Sequence, residues 1–367
     1  MDSGAHERGG ARAVRMVALT LPAARGLPPQ WRLPLLLLGF LCLVAGVIGG
    51  FARAGVGSAP ATAVGLHGVL MVCGFFGTVI SLERAVALES GWAYAAPLAC
   101  GTGGLALLAG AIPAGSWLLA IGAGVLLAAS AMLARRKLSL EGCTLVIAAG
   151  CWLAGNVLLA LGAPVAGVLG WWLAFLALTI GAERLELSRY VPRSRVAQGL
   201  FIAIALAMVA AAFGSLQITG IALLALAGWL FAYDLARRTI RASGLTRYIA
   251  ACLLAGYGWL ALGGALFAVG AAYDAAVHAV LVGFVFSMVF GHAPVIVPAV
   301  LRRALSYTPW FYLPLGLLHG SLAFRVAGGF AGEQAVRAAG SVGNALALAI
   351  FVATAATQTI RQPGRRQ

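Results

Sequence analysis

Charge is what this sequence has least of. Only 10% of its 367 residues are Asp, Glu, Lys or Arg, and only ten are acidic, against 62% hydrophobic residues. A water-soluble domain does not have that balance, and apolar runs of about twenty residues recur along the whole chain. The acidic residues (Asp2, Glu7, Glu83, Glu89, Glu141, Glu183, Glu186, Asp234, Asp274 and Glu333) all read as lying at helix ends, in loops or in tails. A proton-coupled transporter usually carries a carboxylate within a span, so this absence weighs against proton or sodium coupling. Cysteines number six, Cys42, Cys73, Cys100, Cys143, Cys151 and Cys252, none spaced as C-x-x-C. They read as small apolar fillers, not as a metal or disulfide framework. The first apolar run has no clear A-x-A cleavage pattern and further spans follow it, so it reads as an anchoring helix. No lipidation motif, linker or soluble domain is evident.

What remains is an all-α polytopic transmembrane bundle. Residues 1–32 form a basic tail broken by Pro22, Pro28 and Pro29, residues 33–356 the membrane domain, and residues 357–367 a second basic tail. The domain divides into about twelve spans, among them 62–82, 165–182, 275–300 and 308–326. The net charge of +15 would suggest nucleic acid in a soluble chain, but here the basic residues sit between apolar runs. They set orientation and meet anionic headgroups; the partner they imply is the bilayer. With a cytoplasmic N-terminus, 22 of the 25 Lys and Arg fall on the inner side, and only Arg53, Arg325 and Arg337 fall outside. Both termini are thus expected inside, in a cell membrane of the bacterial inner-membrane kind. Ile80-Ser81-Leu82-Glu83-Arg84 and Ile180-Gly181-Ala182-Glu183-Arg184 end two spans alike, a hint of three four-helix repeats.

Histidine is also scarce, with five in the chain. His6 lies in the tail. An ionisable side chain within a span faces the bundle interior or a cavity and is by default a functional candidate. At about 1.5 Å of rise per residue, His67 lies roughly 8 Å below the outer surface, His278 roughly 6 Å and His319 roughly 9 Å. Three helices therefore bring a histidine to one outer layer. His292 lies about 21 Å deeper than His278 on the same helix, next to Pro294 and Pro298, where the helix is expected to kink or break. Neutral imidazole is the commonest metal ligand and a frequent haem ligand. His67, His278, His319 and His292 are thus the candidate metal ligands.

The stretch His67-Gly68-Val69-Leu70-Met71-Val72, continuing to Phe75-Phe76, resembles the second helix of haem–copper oxidase subunit I, where a His-Gly-x-x-Met-x-Phe-Phe pattern supplies a low-spin haem ligand. His278-Ala279-Val280-Leu281 with Ser287-Met288 is loosely similar to the tenth helix of that family. The same segments resemble NnrS, a family of twelve-helix membrane haem–copper proteins linked to nitric oxide stress. There helix 2 carries His-x-His-x-Met-x-x-Gly-Phe, against His67, Met71, Gly74 and Phe75 here. The departures are as telling. No histidine lies between His67 and His278, position 276 is Ala where the oxidases carry a second histidine, and Val69 replaces the second NnrS histidine. The resemblance therefore implies one haem of b type between His67 and His278 and excludes an O₂-reducing oxidase. Arg53, Arg325 and Arg337 would meet its propionates. His319 is left with three roles: propionate partner, support for a ligand, or ligand to a separate copper. The function implied is electron transfer or nitric oxide handling beside a respiratory or redox partner. A secondary transporter or metal permease is the alternative, and an assembly factor for a respiratory complex a third.

Overall fold

The computed structural model describes residues 26–187 and 194–360. Most of the two basic tails, with His6, and the loop arginines Arg189 and Arg193 lie outside the described residues. In chain order the long helices are α1 (Pro29–Arg53), α2 (His67–Leu88), α3 (Ala95–Leu108), α4 (Ile112–Arg136), α5 (Leu140–Ala160) and α6 (Val165–Leu187). There follow α7 (Arg195–Ala212), α8 (Leu216–Tyr233), α9 (Gly244–Ala268), α10 (Tyr273–Leu301), α11 (Tyr312–Ala331) and α12 (Gln334–Ile360). All but α3 and α11 are long and apolar enough to cross a membrane. Among the described residues every regular element is helical. That is what hydrocarbon demands of a chain without a closed barrel, since a helix satisfies its backbone groups internally. The chain is a multi-pass helical membrane protein.

The helices pack largely in sequence order, α3 on α4, α4 on α5, α5 on α6, α8 on α9 and α11 on α12. α6 occupies the middle, with an unbroken buried run from Val168 to Ala182. A helix apolar on every face belongs in the core. α1 lies along α2, and α9 lies in the same way along α10.

α2 and α10 share a second peculiarity. Each begins with ordinary helix, widens into a π-helical stretch (Leu70–Phe76 in α2, Ala279–Phe286 in α10) and then returns to α-helix. Such wide turns rotate the residues that follow and occur mostly at functional sites. Each stretch has one glycine against the preceding helix. A Cβ on Gly74 would lie 2.8 Å from Cβ of Cys42 on α1, and one on Gly283 would lie 2.3 Å from the Trp259 ring on α9.

Two expectations need correction. α10 is not broken at its prolines: α-helix runs from Ser287 to Leu301 through both Pro294 and Pro298. It stops at Arg302, which takes a left-handed conformation. The irregularity of α10 is its π-helical stretch, which ends about two turns before Pro294. Nor are all the carboxylates terminal. α2 and α6 continue to Leu88 and Leu187, so Glu83 and Glu183 lie within helices and are largely buried. The matching Glu-Arg endings of the two helices face each other, with Arg84 3.5 Å from Glu183 and 3.9 Å from Glu83.

Candidate cofactor site

One cavity of about 620 Å³ opens between α1, α2, α6, α10, α11 and α12, and its lining includes His67, His278, Arg53, Arg325 and Arg337. The inner part of its wall is apolar, with Val47, Met71, Val72, Phe76, Leu169 and Trp172 from the first half of the chain and Leu281, Val282 and Phe286 from α10. The polar residues gather at one end. Arg53 closes α1, Asp274 is in the first turn of α10, Arg325 is near the end of α11 and Arg337 is in the first turn of α12. Size and amphipathic lining are those of a site for a small molecule or cofactor.

The two imidazoles face each other across this space with ring centroids 6.3 Å apart and planes 14° from parallel. Nδ1 of His67 lies 2.6 Å from the carbonyl oxygen of Gly46, and Nδ1 of His278 lies 2.7 Å from that of Asp274. A carbonyl only accepts, so each Nδ1 carries the proton and each Nε2 keeps its lone pair. Neither Nε2 has a hydrogen-bond partner among the described residues. The local sequence permits this on both sides. Leu66, with φ −103° and ψ 11°, interrupts the turn Ala61–Gly65 just before His67 and redirects the chain into α2. On α1 Gly50 leaves room for the ring, because a Cβ there would stand 2.8 Å from Cε1 of His67. About two helical turns further in, Phe75 and Phe286 stack at 5.9 Å and 12°, each eight residues beyond its histidine. His67-Gly68-Val69-Leu70 and His278-Ala279-Val280-Leu281 thus occupy equivalent places in two like helices. That internal likeness is readable in the sequence and is the signal that would have paired them directly.

The cationic end is organised but not neutralised. Arg325 donates from Nη2 to both carboxylate oxygens of Asp274, at 3.0 and 3.1 Å, and from Nη1 to the hydroxyl of Ser341. Arg337 donates to Oε1 of Gln334 at 2.7 Å. Among the described residues Arg53 reaches only the carbonyl oxygen of Val64, at a long 3.5 Å. The buried Nε atoms of Arg325 and Arg337 have no hydrogen-bond partner among the described residues. Three guanidiniums against the one carboxylate of Asp274 leave an excess positive charge lining the cavity.

The other two histidines are placed differently. His319 accepts at Nδ1 from the Trp259 indole N–H (2.9 Å), and its Nε2 lies 3.3 Å from the hydroxyl of Ser287, which in turn donates to the carbonyl of Cys252 (2.7 Å). Both nitrogens are occupied and the residue does not line the cavity. Of the three roles left open for it, the geometry adds a fourth, a polar cross-link between α9, α10 and α11. His292 donates from Nδ1 to the carbonyl of Met288 (2.7 Å) and accepts at Nε2 from Arg184 (3.3 Å). Arg184 also pairs with Asp234 at 2.9 Å. His292 thus belongs to a buried ion network with no place in the cavity. Residues that sequence reasoning passed over are Gly46 and Gly50 on α1, Tyr273 and Asp274 at the head of α10, and Ser341 and Asn344 on α12.

The profile of a family described as Domain of unknown function (DUF8744) matches residues 32–360. The chain belongs to the DUF8744 family. No curated protein and no solved structure matches it. The match takes in the whole cavity, from Val47 to Leu348, so the site described above is built entirely from family sequence.

Proposed function

We propose that this DUF8744 protein is a membrane haem protein that carries single electrons, with His67 and His278 holding a haem of b type from its two faces. The observation that carries the reading is the pair of near-parallel rings 6.3 Å apart, each with its Nε2 free. Two imidazoles from facing helices, each with an unpaired Nε2 beside the cavity, are a donor set that would suit a haem iron. A bare ion fits less well. It would seek about four ligands, and no group of three or more His, Cys, Asp or Glu suited to a metal occurs among the described residues. A flat macrocycle supplies the missing ligands, fills an apolar slot and brings two carboxylates that suit the surplus guanidiniums of Arg53, Arg325 and Arg337.

When bound, the group would supply a one-electron change at iron, and with His67 and His278 both holding it the site would suit transfer or sensing more than turnover of O₂. The chain's own part is positional. Gly46 and Asp274 hold the two rings in the tautomer that offers Nε2, the arginines fix the carboxylate edge, and the Phe and Trp side chains keep the interior dry. The resemblance to NnrS and to oxidase subunit I supports the same pair, and leaves nitric oxide handling as a further use. In this reading all twelve helices cross an inner membrane, α3 and α11 included, with both termini on the cytoplasmic side and the cavity mouth on the outer side. The transporter alternative drew on the twelve spans, the internal repetition and a proline-broken α10, and of these the helix from Ser287 to Leu301 removes the last.

The test is a visible spectrum of protein purified in detergent from haem-replete cells, with and without dithionite. A Soret band that sharpens and red-shifts on reduction is expected, and it should vanish in His67→Ala combined with His278→Ala. Protein without a Soret band overturns the reading. A band that survives the double substitution overturns the ligand assignment. A shift on adding nitric oxide to the reduced protein would place gas handling beside electron transfer.

A further inference from the structure

The two imidazoles are not equivalent in what stands behind them. Behind His67 there is one neutral acceptor, the Gly46 carbonyl. Behind His278 there is the carbonyl of Asp274 and, 3.4 Å from the same Nδ1, the Oδ1 of its carboxylate. At that distance the carboxylate is a charge contact more than a full hydrogen bond, but it is a fixed one. Arg325 of α11 grips both oxygens of Asp274 and is itself tied to Ser341 of α12, so three helices hold the carboxylate in place. The chain turns sharply to present it, for Ala272 takes a left-handed φ of 47° immediately before α10 begins. We infer that Asp274 is a positioning residue that makes His278 the stronger electron donor of the pair and holds down the reduction potential of the group between them. This rests on the haem reading above.

The physics has a definite sign. An acceptor behind the N–H of a ligating imidazole fixes its orientation and raises its basicity, and a negative charge makes this effect larger. A more basic ligand and a nearby negative charge both favour the oxidised, more positive metal. Arg325 offsets part of that charge from the far side of the carboxylate, so the pair acts as a graded counter-charge. Removing Asp274 leaves Arg325 uncompensated and moves the potential up. Removing Arg325 leaves Asp274 uncompensated, takes one cation from the cavity, and moves it down.

The experiment is a redox titration of purified full-length protein, followed at the Soret band, for Asp274→Asn, Asp274→Glu and Arg325→Gln. A carboxylate behind a ligand is worth about tenfold or more in ligand strength. If that acts on the oxidised form alone, Asp274→Asn should raise the midpoint by about 59 mV for one electron. Asp274→Glu, which keeps the charge, should return the midpoint toward the original value, and Arg325→Gln should shift it downward. Asp274→Asn with full haem content and an unchanged midpoint overturns the inference and leaves the haem reading intact. Unsubstituted protein without haem overturns the haem reading instead. If Asp274→Asn fails to fold, Asp274→Ser is titrated in its place, and an unchanged midpoint with full haem content there also overturns the inference.

Discussion

His67 and His278 at one end of the cavity, and His292 and His319 outside it, are the same side chain in the same kind of apolar helix, used in opposite ways. The first two spend one nitrogen on a backbone carbonyl and keep the other free beside a cavity. The second two spend both, His319 on Trp259 and Ser287, His292 on Met288 and Arg184. A polar side chain in a low-dielectric interior is expensive unless its hydrogen-bonding groups are satisfied. His292 and His319 meet that requirement within the bundle and need nothing further. His67 and His278 do not, and the missing partner for each Nε2 is what marks the site. Within a membrane bundle, then, the presence of a histidine is weaker evidence of function than the count of its occupied nitrogens.

The comparison breaks most visibly under paired substitutions. His67→Ala with His278→Ala should abolish the Soret band altogether, whereas His292→Ala and His319→Ala should retain it at full intensity in whatever protein remains folded. Loss of the band in either of the latter would put a ligand outside the cavity. The converse holds for stability. Arg184→Ala leaves the carboxylate of Asp234, whose side chain is only 1% exposed, without its guanidinium. Breaking a buried pair by removing one partner costs about 3–5 kcal/mol, so a marked drop in melting temperature is expected with no change in the spectrum. A spectral change without destabilisation would show that the ion network serves the cavity after all.

Much of the site was legible before the fold was known, and the reason is specific. Loops with many arginines and loops with few set the orientation, orientation and helical rise set depth, and depth brought His67, His278, Arg53, Arg325 and Arg337 to one layer. The cavity now holds all five. Depth says nothing about direction around a helix axis. His319, expected in the same layer, instead lies against Ser287, nine residues further along α10 than His278, and is turned toward Trp259 on α9. Register within a helix was hidden for a related reason: the π-helical stretches at Leu70–Phe76 and Ala279–Phe286 are ordinary apolar sequence. The misplaced carboxylates came from the boundaries. Ending α2 at residue 82 and α6 at residue 182 put Glu83 and Glu183 outside the helices, because a charged pair reads as an end until a partner pair is seen to face it.

A milder change separates a satisfied histidine from a waiting one. His319→Leu removes the acceptor of the Trp259 indole N–H, whose hydrogen bond measures 2.9 Å. Leaving one buried donor unsatisfied costs about 1–3 kcal/mol. Thermal unfolding should register that loss while the reduced and oxidised spectra stay those of the unsubstituted protein. A shifted Soret band would mean that His319 reaches the cofactor through Ser287 or α10, and the division between the two kinds of histidine would fail.

The smallest effect tests the division at its finest grain. In Gly50→Ala the new methyl would lie 2.8 Å from Cε1 and 3.1 Å from Nδ1 of His67, closer than van der Waals contact allows. The ring must move by a few tenths of an ångström, away from α1 and with its bond to Gly46 lengthened. The fold has little reason to suffer, since the cavity lies on the other side and accepts the displacement. Haem retention should fall by no more than about tenfold, the lower end of what loss of a supporting contact costs a ligand. Gly150→Ala is the matched control. It sits inside α5 with no atom within 4 Å of its would-be Cβ, and should add up to about 1 kcal/mol of stability from helix propensity alone. Equal haem retention in the two variants would mean that the position of the His67 ring does not matter, and would remove the strongest geometric argument for the pair.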